Sequence, residues 1–230
     1  MRRWFAGLLA LALLLGIAAQ FVLPWLVSDF IARSVGNQMQ TEQITAKVTK
    51  TPAFLMLGGT FDEVAISAVK AQTGRLVFQE MNVVISAASI DMPALLRDRR
   101  LVLSSAEKIE LSGVITQEEL SRYLNANVKY VKNAAVTVRD GRVAIDAQLV
   151  IIGPIAVKVN LDGRIVGDDR QIRFVTEHFS LNDGLAGNIS GALLTEIPLA
   201  DLRQLPFAVG VREIVMEQGR IIVYMDSRSL

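Results

Sequence analysis

A single histidine, His178, stands between Glu177 and Phe179 in a chain without cysteine. A histidine beside a carboxylate is the smallest unit of general-base chemistry, but nothing in the sequence orients this one, and a structural or exposed side chain fits better. Structural zinc needs four nitrogen or sulfur ligands and catalytic zinc three protein ligands, so no metal site is expected, and thiol catalysis is excluded. Acids adjoin at Asp62-Glu63, Glu118-Glu119 and Asp168-Asp169. Paired-carboxylate catalysis requires groups that face each other across a substrate, whereas neighbours on a strand point to opposite faces. The last pair reads as a solvated turn. Gly184, Gly187 and Gly191 match neither a dinucleotide fingerprint nor a phosphate loop. No serine occupies Gly-x-Ser-x-Gly, and Asn188-Ile-Ser190 is a glycosylation triplet of a kind common by chance. No cofactor and no enzyme are expected. A hydrolase using His178 with a carboxylate is the one weak enzymatic option.

Trp4 to Val27 is an apolar run without a single charge, preceded by Arg2 and Arg3. About 20 apolar helical residues cross a hydrocarbon core of about 30 Å, so residues 1–27 are expected to form a transmembrane anchor, with Trp4 and Trp25 at the two headgroup levels. Because Lys and Arg favour the cytoplasmic side, the amino terminus is expected inside and residues 28–230 outside, as one extracytoplasmic domain on the cell membrane. Cleavage after Ala19 is the alternative. Against it stand Ile17, three positions before the cut, and an apolar stretch longer than a signal core. Removing Arg2 and Arg3 from the 24 basic residues leaves 22 against 23 acidic ones. That balance, with no basic block, lacks the footprint of a nucleic-acid binder.

Phe30, Ile31, Val35 and Met39 form a helical stripe, predicting a helix over Ser28–Gln43. From Ile44 the period becomes two, and strands are predicted from Ile44, from Phe61, over Leu76–Ile90 and over Leu101–Ile115. Pro52 and Gly58-Gly59 bracket the break at Ala53 to Leu57. Pro93–Arg100 reads as a short helix capped by Asp91. Thr116 to Glu119 fits a capping box that opens a helix carrying Leu120, Tyr123 and Leu124. Asp140-Gly141 signals a hairpin. A strand ending at Asp162-Gly163, a further strand through Phe174, a helical segment over Ile197–Leu205 and a closing hairpin around Gln218-Gly219 follow. The order of elements indicates an α+β protein built on antiparallel sheet. The abundant apolar residues on sheet faces mean core first, although a greasy sheet curled around a helix can also enclose a ligand.

Several short stretches resemble a known family. Leu57-Gly-Gly-Thr-Phe-Asp-Glu-Val64, Ile115-Thr-Gln-Glu-Glu-Leu120, Leu199-Ala-Asp-Leu202 with Leu205-Pro-Phe207, and Gln218-Gly-Arg-Ile221 are similar, in order, to motifs of the LmeA-like phospholipid-binding family. The resemblance implies a tubular lipid-binding fold, a strongly bent antiparallel sheet wrapped around a long helix, here Ser28–Gln43. It also implies a phospholipid or other acyl lipid as partner, bound outside the cytoplasmic membrane. Burying acyl chains gains about 0.8 kcal/mol per methylene. The candidate groove residues are Phe30, Ile31, Val35, Phe54, Leu55, Leu95, Leu96, Leu120 and Tyr123, each of which ordinary packing would also explain. The competing reading is an anchored scaffold with a solid core, an exposed apolar patch elsewhere and no lipid.

Overall fold

The structure, a computed structural model, describes residues 2–41, 43–152, 155–181 and 195–227, without the side chains of residues 2, 3, 5, 6, 8–13, 15, 17, 151, 152, 155 and 181. The glycine cluster at 184–191 and the triplet at Asn188 lie outside the described residues. The chain forms two compact units, residues 1–68 with 82–109 and residues 69–81 with 110–230.

The first unit begins with one helix, α1 (Arg2–Gln38), which runs through Pro24. The expected anchor and the expected separate helix over Ser28–Gln43 are therefore a single element. It stops at Gln38 because Gln40 takes a left-handed φ of 50° and the Thr41 amide donates back to the Gly36 carbonyl at 3.0 Å. Among the described residues no helix is long and apolar enough to cross a membrane. Val27, Ile31, Val35 and Met39, each four residues apart, are buried on the side that meets β1 (Gln43–Thr49). A 3₁₀ turn, Ala53–Gly58, lies against the middle of α1, where the Ala53 amide donates to Gln20 Oε1 at 2.9 Å. The long hairpin strands β2 (Thr60–Thr73) and β3 (Leu76–Ile90) follow. Next comes α2 (Met92–Arg97), capped as expected by Asp91, whose Oδ1 accepts from the Ala94 amide at 3.0 Å. The predicted strand over Leu101–Ile115 is two, β4 (Leu103–Ser105) and β5 (Lys108–Thr116).

The second unit holds the tip of the β2–β3 hairpin, β5 from Glu110 onward, α3 (Gln117–Asn127), and the strands β6 (Val131–Arg139), β7 (Arg142–Ile152), β8 (Ile155–Gly167), β9 (Gln171–Leu181), β10 (Glu196–Asp201), β11 (Gly210–Glu217) and β12 (Arg220–Asp226). Strands β6 to β10 make an antiparallel sheet in the order β10-β9-β8-β7-β6, so β6 and β10 are its edges. The architecture is sheet-dominated α+β with strong curl, and α3 shows how strong. Thr116 caps the helix, its Oγ1 accepting from the Glu119 amide at 3.3 Å. Gln117, Ser121 and Asn125 then form a polar stripe at four-residue spacing. Their side-chain oxygens accept the outward amides of β6 in turn: Gln117 Oε1 from Val138 at 3.4 Å, Ser121 Oγ from Val136 at 2.9 Å and Asn125 Oδ1 from Ala134 at 2.9 Å. Four helical residues rise about 6 Å, and two strand residues about 6.8 Å, so the two repeats match over three contacts. Two residues from Asn125, the Tyr123 hydroxyl donates to the carbonyl of Pro198 on β10 at 2.7 Å. One eleven-residue helix thus reaches both edges of a five-stranded sheet, which a flat sheet about 19 Å across would not allow.

The expectation that a bent sheet wraps the long helix over Ser28–Gln43 is corrected here. The helix inside the curl is the short α3, which carries its own amphipathic pattern. Leu120 and Leu124 face Val136, Val143, Ile145, Ile165, Phe174 and Leu199, one or more residues from each strand, and the void they enclose is only about 10 Å³. That is roughly one water. Two local expectations also fail. Strand β8 does not end at Asp162-Gly163 but continues to Gly167; Gly163 lacks the Cβ that would strike the Val175 carbonyl and the Phe174 ring, so β9 comes unusually close. Ile197–Leu205 is not helical. Ile197 and Leu199 alternate inward as a strand, and the edge position tolerates Pro198, before a 3₁₀ turn at Leu202–Gln204.

Because Asn125 also donates to the Ala134 carbonyl at 2.9 Å, Asn125→Ala strips β6 of both partners at that residue. It is expected to lower stability by about 1–3 kcal/mol, with Ser121→Ala toward the low end of that range. Urea unfolding of the two variants checks this.

Candidate functional site

Three turns of the second unit converge. The first is the β2–β3 turn, Thr73-Gly74-Arg75, where Gly74 has φ +61° and the space of its absent Cβ is taken by Gln204 Oε1. The second is Asp168 to Gln171, between β8 and β9. Asp168 Oδ1 accepts from the amides of Arg170 at 2.8 Å and Gln171 at 2.9 Å, while Oδ2 meets Arg173 Nη1 at 3.2 Å. The third is Asp201 to Gln204, tied to the second by the Leu202 amide donating to the Arg170 carbonyl at 2.8 Å. With Tyr123 and Pro198–Ala200 they line an open cleft of about 940 Å³.

This cleft is polar, and three of its six charged side chains, Asp168, Asp201 and Arg203, are already matched. Asp201 and Arg203 form a fork, Nε to Oδ1 at 2.9 Å and Nη2 to Oδ2 at 2.7 Å. That guanidinium holds the Asp201 carboxyl below its ordinary value. The backbone amides of Arg170 and Gln171 do the same for Asp168. Tyr123 is pushed up by burial, with Arg75 acting weakly the other way. Among the described residues of the lining, the guanidinium groups of Arg75 and Arg170 and the carboxylate of Asp169 make no side-chain hydrogen bond or ion pair, although the charge of Arg170 helps to lower the Asp168 carboxyl. Thr73, also in the lining, is 4% exposed, and its Oγ1 is buried with no partner among the described residues.

A second cavity of about 270 Å³ adjoins the first and shares Asp169 and Arg203 with it. Its other lining residues, Leu202, Leu205, Pro206, Phe207, Ala208 and Val209, carry apolar side chains. A polar cleft and an apolar slot with a common wall form an amphipathic site.

The candidate groove residues separate on the structure. Ile31, Val35 and Leu95 in the first unit and Leu120 in the second are core residues, at most 2% exposed. Phe30, Phe54, Leu55 and Leu96 are exposed, all in the first unit, and Tyr123 lines the polar cleft. Trp4 and Trp25 are exposed on α1. His178 is exposed on β9, and its neighbour Glu177 is paired with Arg164 at 3.2 Å. No group of three or more metal-ligating side chains occurs among the described residues. The paired cavities escaped the sequence reading because Thr73, Arg75, Asp168–Gln171 and Asp201–Val209 come from separate segments. The one signal was Leu199 to Phe207, a stretch that carries the family resemblance and lines both cavities.

The chain matches the LmeA-like phospholipid-binding family over residues 18–226, and it belongs to that family. No match is found among curated proteins or among solved structures.

A carboxylate whose folded pKa is depressed stabilises the fold above its unfolded pKa, about 3.9 for Asp, and loses that contribution as the pH falls through the folded value. Acid below about pH 4 is therefore expected to loosen the Asp168 and Asp201 turns. In Asp168→Asn, stability measured by urea unfolding should fall less steeply with acidification below about pH 4 than in the unsubstituted protein.

Proposed function

We propose that this protein binds a phospholipid at the paired cavities, with the headgroup in the polar cleft and the start of an acyl chain in the apolar slot. The observation that carries the reading is the family match over residues 18–226, joined to a polar and an apolar cavity that share Asp169 and Arg203. Arg75 and Arg170 have guanidinium forks free for a phosphate, which arginine grips in two parallel hydrogen bonds. Asp169 is the acid free for a headgroup amine. At about 30 Å³ for a water-sized group, the slot takes about nine such groups. Four or five buried methylenes contribute roughly 3–4 kcal/mol. The role is binding, not catalysis.

The uncharged run Trp4–Val27 behind Arg2 and Arg3 supports a further part of the reading: α1 enters the cell membrane from its amino-terminal end, with the rest of the chain on the extracytoplasmic side. Binding next to a bilayer then suits lipid handling at the membrane surface. One observation favours the scaffold reading instead, the filled interior around α3, which leaves no acyl chain a place inside the curl.

Lipid extraction of the purified full chain, followed by mass spectrometry, separates the two. Phospholipid is expected to co-purify with the unsubstituted protein. Ala208→Trp, at an exposed position of the slot lining, is expected to abolish it by filling the slot. Arg75→Ala and Arg170→Ala are each expected to weaken binding about tenfold or more, from about 1.5–3 kcal/mol per charged hydrogen bond. No lipid in the unsubstituted protein would leave the scaffold; lipid unaffected by all three substitutions would move the site elsewhere.

A further inference from the structure

The 3₁₀ turn Ala53–Gly58 of the first unit buries Ala53 and Met56 but leaves Phe54, Leu55 and Leu57 exposed, at 59, 40 and 63%. Three large apolar side chains on one six-residue turn are a poor surface for water. No charged residue occurs from Thr51 to Phe61. The charges at the two ends, Lys50 and Asp62, close on each other at 2.7 Å. The turn is thus an uncharged apolar tip above a neutralised pair.

Its position along α1 identifies what covers it. The Ala53 amide is fastened to Gln20 Oε1, and Phe21, Val22, Trp25 and Leu26 nearby on the helix are exposed as well. At about 1.5 Å per residue, Gln20 lies ~24 Å along the axis from Trp4 and ~14 Å before Asp29, the first charge after Arg3. A hydrocarbon core of about 30 Å that begins near Trp4 therefore still surrounds the helix at Gln20. Anything fastened there lies at the depth of the outer leaflet.

We infer that the turn Ala53–Gly58 is a membrane-inserted wedge, with Phe54, Leu55 and Leu57 among the acyl chains of the outer leaflet beside α1. This rests on α1 entering a bilayer, and it goes beyond that reading in adding a second point of insertion. A helix alone leaves the unit free to swivel about its axis. A wedge fastened at Gln20 removes that freedom and holds the first unit at one height and one rotation on the lipid surface.

The chain has no cysteine, so a single introduced thiol reports one position. Leu57→Cys and Leu14→Cys replace residues that are 63 and 65% exposed. Each full-length variant, carrying an environment-sensitive fluorophore, is reconstituted into vesicles of phosphatidylethanolamine and phosphatidylglycerol. Quenching by spin-labelled acyl chains is compared with quenching by aqueous iodide. The expected result is lipid quenching and blue-shifted emission at both positions. Lipid quenching at position 14 with iodide quenching at 57 would overturn the wedge while leaving helix insertion intact. Shielding of position 57 from both quenchers would mean a protein cover and would also overturn it. Iodide quenching at both positions would remove helix insertion and the wedge together.

Discussion

An edge strand with open amides needs a partner, and in the second unit α3 supplies one. The stripe Gln117, Ser121 and Asn125 accepts the amides of Val138, Val136 and Ala134, doing for β6 what a neighbouring strand would do. An unpaired edge is a template for aggregation, and the stripe closes it with side chains. The adjoining face of the same helix supplies Leu120 and Leu124 to the inside of the curl. Both faces must be used at once, so the helix cannot turn about its axis without losing either hydrogen bonds or packing. With the Tyr123 bond to Pro198, both sheet edges are held to one short helix.

That arrangement also decides where a ligand has no room. A sheet drawn so tightly around eleven helical residues fills its own interior, and the residual void of about 10 Å³ excludes an acyl chain. Open volume appears instead at the seam near β10, where the three turns and Tyr123 surround the polar cleft. The acids there serve mainly to hold the turns. Asp168 is occupied by the amides of its own loop and Asp201 by Arg203, which leaves Arg75 and Arg170 as the cations free for an anionic group.

Much of the local structure was legible from sequence because its causes are local. Alternation of apolar residues marked the strands around Ile44, Leu76 and Val143. Asp91 and Thr116 marked helix starts through their side-chain oxygens. Asp140-Gly141 and Gln218-Gly219 marked turns in which Gly141 and Gly219 take φ +75° and +80°. The errors occurred where distant partners overrode local signals. Gly163 looks like a turn residue until β9 is placed against it, and Pro198 looks like a helix boundary until β10 is seen to be an edge.

Composition and periodicity alone indicated an α+β chain rich in antiparallel strand, with an uncharged apolar run behind Arg2 and Arg3 and no cysteine for thiol chemistry. The family resemblance was carried by motifs of three to eight residues, which sequence displays directly. Which helix the sheet encloses was decided only in three dimensions, since a helical stripe reveals that a face is buried and not what buries it. The same holds for the amphipathic site. Arg75, Asp169 and Phe207 are separated by long stretches of chain, and only the convergence of three turns gives their charge and greasiness a common wall.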